Sequence, residues 1–360
     1  MTELNREFLD KLGGYANGSA GRALSMLIRP AFTADEGKRL VWGDWSAIEA
    51  RVLPWLAGKG GGEDKLDIFR RSDADPNEPD IYIRTACDLN GGDPHETWQA
   101  YIAGDDEAAA LRQGSGKVPE LSLGFGGGLG ALQAMATNYG VYMDDELGRR
   151  VVNDWRAANA WAREFWNLLW EAALNAMDRP DTIYEAGRVA YVYDKYYMGG
   201  TLFCALPSQR LLTYPTIRWR KREVEDKVTG EVKVKNVLSA RKGYGFAGIW
   251  YGKLAENVTQ AEAASLLRQK ITGLTLPDHL LHHLPAQLPD YVMQLRELLP
   301  LIGHTHDEMV GEADDDKAKI ALASQLLHRY MIDNPPWSAG LPLAAEVEDG
   351  AFYTKAKYKG

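Results

Sequence analysis

Cysteine is nearly missing from this chain: Cys87 and Cys204 are the only two in 360 residues. Two thiols cannot build a disulfide framework or a four-cysteine zinc site, and so low a count suits a reducing compartment. Long apolar runs are missing too. No stretch of about 18 apolar residues occurs, which excludes a membrane-spanning helix of ordinary length. The opening MTELNREFLDKLGG carries acids and lacks an apolar signal core, so no secretory leader is read there and a cytoplasmic location is expected. Positive charge is also in deficit, with 41 Lys and Arg against 50 Asp and Glu, a net charge of -9. That deficit argues against an evenly basic nucleic-acid coat, but local distribution outweighs the sum. Residues 208–242 hold ten Lys or Arg and four acids, a local +6. Taken alone, that window reads as a solvated β-hairpin with a basic face.

What remains is ordinary for a globular enzyme: 45% hydrophobic and 25% charged residues, in a chain long enough for two domains or one core with an insertion. Lys38 to Trp45 predicts a buried strand, and from Ser46 the apolar period becomes helical through Ile48, Val52, Leu53 and Leu56, ending at Gly58–Gly62. Residues 63–110 predict mixed helices around the acidic loop SDADPNEPD. Residues 111–200 predict mostly helix, including Arg112–Thr137 and an aromatic stretch from Asp145 to Met177 whose tryptophans have packing spacing. Residues 201–251 switch to strand, with a turn at Val228–Gly230. A long helix is expected over 253–272 and a shorter one over 289–299. Strand, turn and strand follow over Leu299–Ala313, then a helix over 315–333 and a last strand at Leu341–Val347. Strand-bearing ends around a helical middle give an α+β class.

Chemistry concentrates in three blocks. In GDWSAIEARVLPWLAG, Asp44 ends the strand and Glu49 and Arg51 follow on the helix. In isolation these read as a helix N-cap and surface groups. In IGHTHDEMVGEA, His306, Asp307 and Glu308 sit at a hairpin turn. Between them lies LRQGSGKVPELSLGFGGGLGAL. Its GSGK is not a phosphate-binding P-loop, because Val118 follows Lys117, Leu111 holds the first glycine's place, and no strand leads in.

In this order the three blocks resemble motifs A, B and C of family A DNA polymerases, particularly the phage-type branch. Asp44, Trp45, Ser46, Ile48, Glu49 and Arg51 fill motif A; Lys117, Leu121, Phe125 and Gly126 fill motif B; His306, Asp307 and Glu308 fill motif C. The likeness extends to LPSQRLLTYP at 206–215, the segment Glu256–Gln260 and GLPLAAEV near the end. It implies a right-hand polymerase fold, with palm at 1–60, fingers at 61–200 and palm again at 201–360. It also implies template-directed addition of dNTPs to a primer 3′-hydroxyl in phage DNA replication.

By the same resemblance, Asp44 and Asp307 would hold two Mg²⁺ ions, with Mn²⁺ as a substitute, and hard carboxylate oxygen suits either. Lys117 would neutralise the triphosphate and protonate the departing pyrophosphate. Glu49 matches a steric gate against ribose, and Phe125 the aromatic at the template-base position. Tyr82 and Leu121 stand at nucleotide-contacting positions. Gln260, Arg22, Arg51, Gly126 and His306 would contact primer or template, and Glu308 would support the metal-binding acids.

Three departures are visible. The family arginine four residues before the lysine falls on Gln113, with Arg112 one residue early. Tyr82 stands where relatives carry histidine, and Leu121 where they carry an aromatic. Upstream, Gly21 and Arg22 match a primer-contacting segment in which Ala20 replaces threonine. Only 43 residues precede Asp44, fewer than a thumb or a 3′–5′ exonuclease domain needs, so both are expected from a second polypeptide. Two other readings fit parts of the pattern. A single-subunit RNA polymerase relative would need a small residue at Glu49, and a non-catalytic replisome scaffold would have no use for Asp44, Lys117 and Asp307.

Overall fold

The computed structural model describes residues 28–58, 61–225, 232–284 and 287–354. Gly21 and Arg22 lie outside these, as does the expected turn at Val228–Gly230.

Strand β1 (Lys38–Trp45) runs into helix α1 (Ile48–Ala57), which stops at Gly58, where φ is +67°. Helices α2 (Glu63–Ala74), α3 (Ile81–Asn90), α4 (Pro94–Ile102) and α5 (Asp106–Leu111) follow. Aspartates start three of these: Asp80, Asp93 and Asp105 each accept backbone N–H groups of the first turn, satisfying donors that a helix start leaves open. A π-helical turn (Arg112–Lys117) leads into α6 (Val118–Leu123). The helix expected over Arg112–Thr137 is therefore interrupted. After α6 the chain leaves helical geometry at Gly126, where φ is +72°, and resumes as α7 (Leu129–Asn138). Two helices, α8 (Asp145–Ala158) and α9 (Ala160–Asp178), carry the aromatic stretch, and Trp155 and Trp166 stack within it.

Strands begin earlier than the sequence suggests, with β2 (Tyr184–Ala186) and β3 (Val189–Asp194) turning at Gly187, where φ is +60°. They continue as β4 (Thr201–Ala205), β5 (Leu211–Pro215), β6 (Arg218–Glu225), β7 (Val232–Lys242) and β8 (Gly245–Gly248). Helix α10 (Tyr251–Thr275), α11 (Asp290–Leu298), β9 (Leu301–Thr305), β10 (Glu308–Asp314), α12 (Lys317–Ile332) and β11 (Ala345–Gly350) complete the order.

The chain forms two compact units. One comprises residues up to 46, 266–333 and 343 onward; the other comprises 47–265 and 334–342. The first is built on a four-stranded antiparallel sheet in the order β11-β1-β10-β9. One face takes α12 at Gly43, where a Cβ would collide with Met331 and lie 3.3 Å from Leu327. The Trp45 indole N–H bonds to the Met331 carbonyl at 3.0 Å and fixes the same contact. The other face gathers Leu40, Trp42, Val310 and Tyr353. Residues two apart on a strand share a face, so Asp44 continues the Leu40–Trp42 row at the strand's end.

The second unit holds helices α1–α9 and two further antiparallel sheets, β2-β3-β4-β5 and β6-β7-β8. No helix among the described residues is long and apolar enough to cross a membrane.

Candidate active site

In the first unit, β1 places Asp44 directly opposite Glu308 on β10 and Glu346 on β11. Cross-strand partners project to the same face of a sheet, so three carboxylates line one row at the sheet's end. Glu346 escapes a reading of the sequence, because an edge-strand acid has no distinguishing pattern there. Asp307 precedes Glu308 in the two-residue turn, and its carbonyl lies 3.5 Å from the backbone nitrogen of Trp45. Motifs A and C are thus brought to adjoining strands.

His306, exposed, completes the turn with φ at +52°. A left-handed backbone at a non-glycine residue costs about 1–3 kcal/mol and recurs at working sites.

Glu308 is 1% exposed, and its carboxylate is held by side chains of the cluster that packs on Leu40 and Trp42. The Tyr353 hydroxyl donates to Oε2, Arg29 Nη2 lies 3.4 Å from the same oxygen, and the Arg29 guanidinium sits 5.2 Å from the centre of the Tyr353 ring. Burial, and then this hydrogen bond, push the Tyr353 phenol above its ordinary range. Neither Arg29 nor Tyr353 could be found from sequence, since each lies far from the motif it supports.

Asp44 and Asp307 offer only hard oxygen donors, and Asp44 Oδ1 is buried. Among the described residues no group of three or more His, Cys, Asp or Glu forms a metal cage. Two carboxylates completed by phosphate oxygens and water are how Mg²⁺ is ordinarily held at phosphoryl-transfer sites, so the donor set fits a divalent ion.

In the second unit, a π turn spans Arg112–Lys117 and sets how its two cations align. On an α-helix, residues five apart stand roughly 140° apart around the axis. Here the Val118 N–H bonds to the Gln113 carbonyl, an i→i+5 closure that brings residues five apart nearly into line. Arg112 and Lys117 consequently meet one ring, at 5.0 and 5.9 Å from the centre of Tyr82, while Gln113 is exposed. Tyr101 adds a second ring over Arg112 at 4.9 Å, and Tyr139 one over Lys117 at 5.5 Å.

Asp80 locks the arrangement. Its Oδ1 caps α3 at Ile83 N–H, 2.8 Å, and its Oδ2 accepts from Arg112 Nε at 2.7 Å. Gly116 is required at the crossing, because a Cβ there would strike the Tyr82 carbonyl. Burial raises the Tyr82 phenol well above its ordinary range, with the nearby Glu120 carboxylate adding to the effect, so its hydroxyl stays protonated at neutral pH.

Glu49, Leu121 and Phe125 line one cavity of this unit, with Lys65, Glu120 and Trp155 also in its wall. Lys65 and Glu120 form a buried ion pair at 2.5 Å, and Glu120 also accepts from Thr85 at 2.8 Å and from the Trp155 indole at 2.9 Å. A buried charge pair persists only when its remaining hydrogen-bonding capacity is met in this way. No motif in the sequence signals this network.

Arg51 is 2% exposed and bonds bidentately to Asp73, at 2.5 and 2.8 Å, beneath the Phe69 ring. Its guanidinium is engaged in packing α1 on α2. Gly126 is buried at its positive φ, and a Cβ there would press on Tyr251. Gln260 is exposed on α10.

No family model matches the chain. A DNA polymerase of Bacillus phage SP02 is 29% identical over 341 residues, which cover 94% of this chain and 44% of that protein. The POL domain of Pol1 from M. smegmatis, solved in complex with DNA primer-template and dNTP, matches with a TM-score of 0.51 and 14% identity over 90% of this chain and 42% of that one. The chain therefore spans less than half the length of either relative. The mixed α+β fold is that of a polymerase domain, and the resemblance read from motifs A, B and C extends along nearly the whole chain.

Proposed function

We propose that this chain is the catalytic part of a template-directed DNA polymerase, joining dNTPs to a primer 3′-hydroxyl during phage DNA replication. The reading rests chiefly on the register that sets Asp44 against Glu308 and Asp307 against Trp45, at the end of a polymerase-type sheet.

Asp44 and Asp307 hold two divalent ions, Mg²⁺ by preference. Such ions neutralise the charge that develops on the attacking and departing oxygens. Glu308, fixed by Tyr353 and Arg29, holds the turn that carries Asp307 in place. Arg112 and Lys117 supply two positive charges to the triphosphate, and Lys117 delivers a proton to the pyrophosphate as it leaves. The protonated Tyr82 hydroxyl and its ring keep the two cations in line. Glu49 closes over the sugar and excludes a 2′-hydroxyl, with Leu121 and Phe125 beside it in the cavity wall. His306, Gln260, Gly126, Arg51 and Arg22 are assigned to primer and template, Arg51 and Gly126 through the backbone they shape.

Primer extension on a matched primer-template with Mg²⁺ tests the reading. Incorporation of dNTPs that depends on the divalent ion and vanishes in Asp44→Asn supports it. Preferential use of rNTPs, or extension that survives Asp44→Asn, overturns it.

A further inference from the structure

The ribbon β6-β7-β8 has two chemically different faces. Its register pairs Arg218 with Ser239, Arg220 with Val237, Arg222 with Lys235 and Arg241 with Phe246. Because partners share a face and residues two apart share a face, Arg218, Arg220, Arg222, Lys233, Lys235 and Arg241 all lie on one side. Glu223 lies on the other side with Trp219, Lys221, Leu238, Ala240 and Lys242. Among the described side chains of the ribbon, the first face has six cations and no carboxylate.

The second face is anchored over part of its length, while Lys221, Val234 and Lys242 on it are exposed. Leu238 and Ala240 are buried, and the Trp219 ring meets the Trp170 ring of α9 edge-on at 6.3 Å. Arg218, Arg222, Lys235 and Arg241 are exposed on the cationic face.

Like charges gathered on one surface repel one another. The Arg220 guanidinium lies 3.4 Å from the Phe246 ring centre, and its Nε and Nη2 are shielded from solvent without a hydrogen-bond partner. Desolvation and then the neighbouring Arg218 charge weaken its hold on its proton. An anion laid on this face would offset the repulsion among its cations. Successive cations on β6 are two residues apart, a step of about 6.8 Å, and one DNA strand presents a phosphate every ~3.4 Å of helix axis. The face therefore matches a line of regularly spaced phosphates better than a single small anion. Arg220 lies over Phe246, so one side of that ring is taken by a cation rather than offered to a base, and the face presents chiefly cationic groups, as contact with the backbone of a duplex requires.

We propose that this cationic face is a second DNA-binding surface, gripping the phosphate backbone of a double helix without reading its sequence. The proposal takes only the choice of DNA as partner from the polymerase reading.

The test uses the full chain, a labelled blunt 24-base-pair duplex without a recessed 3′ end, and fluorescence anisotropy over a KCl series without nucleotide. Replacing Arg218, Arg222, Lys235 and Arg241 by Gln should weaken binding at least about tenfold at low salt. The slope of log affinity against log salt should fall by up to ~3.6, at about 0.9 for each phosphate no longer neutralised. A control with Lys221→Gln and Lys242→Gln removes charge from the anchored face and should change the slope by less than about one. If the fourfold variant melts early, the pairs Arg218→Gln/Arg222→Gln and Lys235→Gln/Arg241→Gln should each show about half the change. A wild-type slope in the variants overturns the proposal. So does a loss per charge equal to the control's, or a loss confined to single-stranded DNA. Single-turnover incorporation at saturating DNA should stay within about twofold of wild type. If the wild-type chain incorporates nothing, the polymerase reading fails while the duplex-binding result stands on its own.

Discussion

Asp44 and Glu308 are direct partners across the β1–β10 ladder, and Tyr353 and Arg29 hold the Glu308 carboxylate. The two acids are not equivalent. Glu308 is consumed by the protein, whereas Asp44, at the strand's end, is half-exposed together with Asp307. Asp44→Ala and Asp307→Ala should each lower the incorporation rate by at least about 10³-fold, the scale of lost electrostatic stabilisation of a transition state. Both should keep the wild-type melting temperature within a few degrees. Extension near wild-type rates by either variant, on matched primer-template, would remove both from the reaction.

Tyr353→Phe isolates the support given to Glu308. Without the hydroxyl, buried Glu308 is deprived of a donor, at a cost of about 1–3 kcal/mol of stability at neutral pH. The phenol is raised above its ordinary range by burial and by Glu308, so the folded state holds a proton that the unfolded chain gives up near pH ~10. The stabilisation is complete below that pH and declines as pH rises toward the folded value. Denaturant melts should therefore show a constant gap between wild type and Tyr353→Phe from about pH 6 to 9, narrowing above ~10. A gap that widens there would contradict the assigned hydrogen bond.

Lys270 titrates in the opposite sense. It is 4% exposed, donates to the Asp333 carbonyl, and burial lowers its pKa to about 8. Between that value and the ordinary one near ~10.4, the unfolded chain binds more protons than the folded one, so stability rises with pH. Relative to Lys270→Met, the wild type should gain roughly 1 kcal/mol per pH unit on going from about pH 8 to 9.5. A difference flat with pH would mean that the ammonium is better solvated than its burial indicates.

The elements that frame the acids are legible in sequence because they follow simple periods. Lys38–Trp45 is apolar on both faces, and HTHDE sits between two short apolar runs, so β1 and the β9–β10 hairpin fall where the patterning puts them. The helix-to-strand change at Tyr184 is hidden because Gly187 is the only strong turn residue in EAGRVAYVYD. Gly114 and Gly116 read as loop formers, yet both lie in a π turn, where Gly116 provides room for the Tyr82 backbone rather than flexibility. Tyr353, Arg29 and the Lys65–Glu120 pair depend on contacts between distant segments, which no local pattern encodes.

That π turn makes a testable distinction between neighbours. Arg112 is stacked and pinned to Asp80, whereas Gln113 is exposed to solvent. Arg112→Ala should raise the KM for dNTP by about 10- to 100-fold, as expected for a charge-assisted hydrogen bond worth about 1.5–3 kcal/mol. Gln113→Ala should stay within about twofold. The reverse ranking in steady-state kinetics would return the triphosphate to Gln113.

Sugar selection gives the sharpest test of what the chain makes. Glu49 stands on the first turn of α1 and lines the cavity that Leu121 and Phe125 share. A carboxylate placed against the sugar excludes a 2′-hydroxyl by bulk and by unfavourable oxygen–oxygen approach. Removing one methylene's worth of apolar packing would shift selectivity by only about 1–3 kcal/mol. Glu49→Ala should therefore raise the ratio of rNTP to dNTP catalytic efficiency by at least about 10²-fold, chiefly through faster rNTP use. Glu49→Gln keeps the bulk and removes the charge, so it should retain most of the discrimination if exclusion is steric. The quantity to measure is kcat/KM for matched rNTP and dNTP on one primer-template, for wild type and both variants. An unchanged ratio in Glu49→Ala would make Glu49 a wall residue without a selective role, and the preference for deoxynucleotides would have to come from elsewhere in the chain.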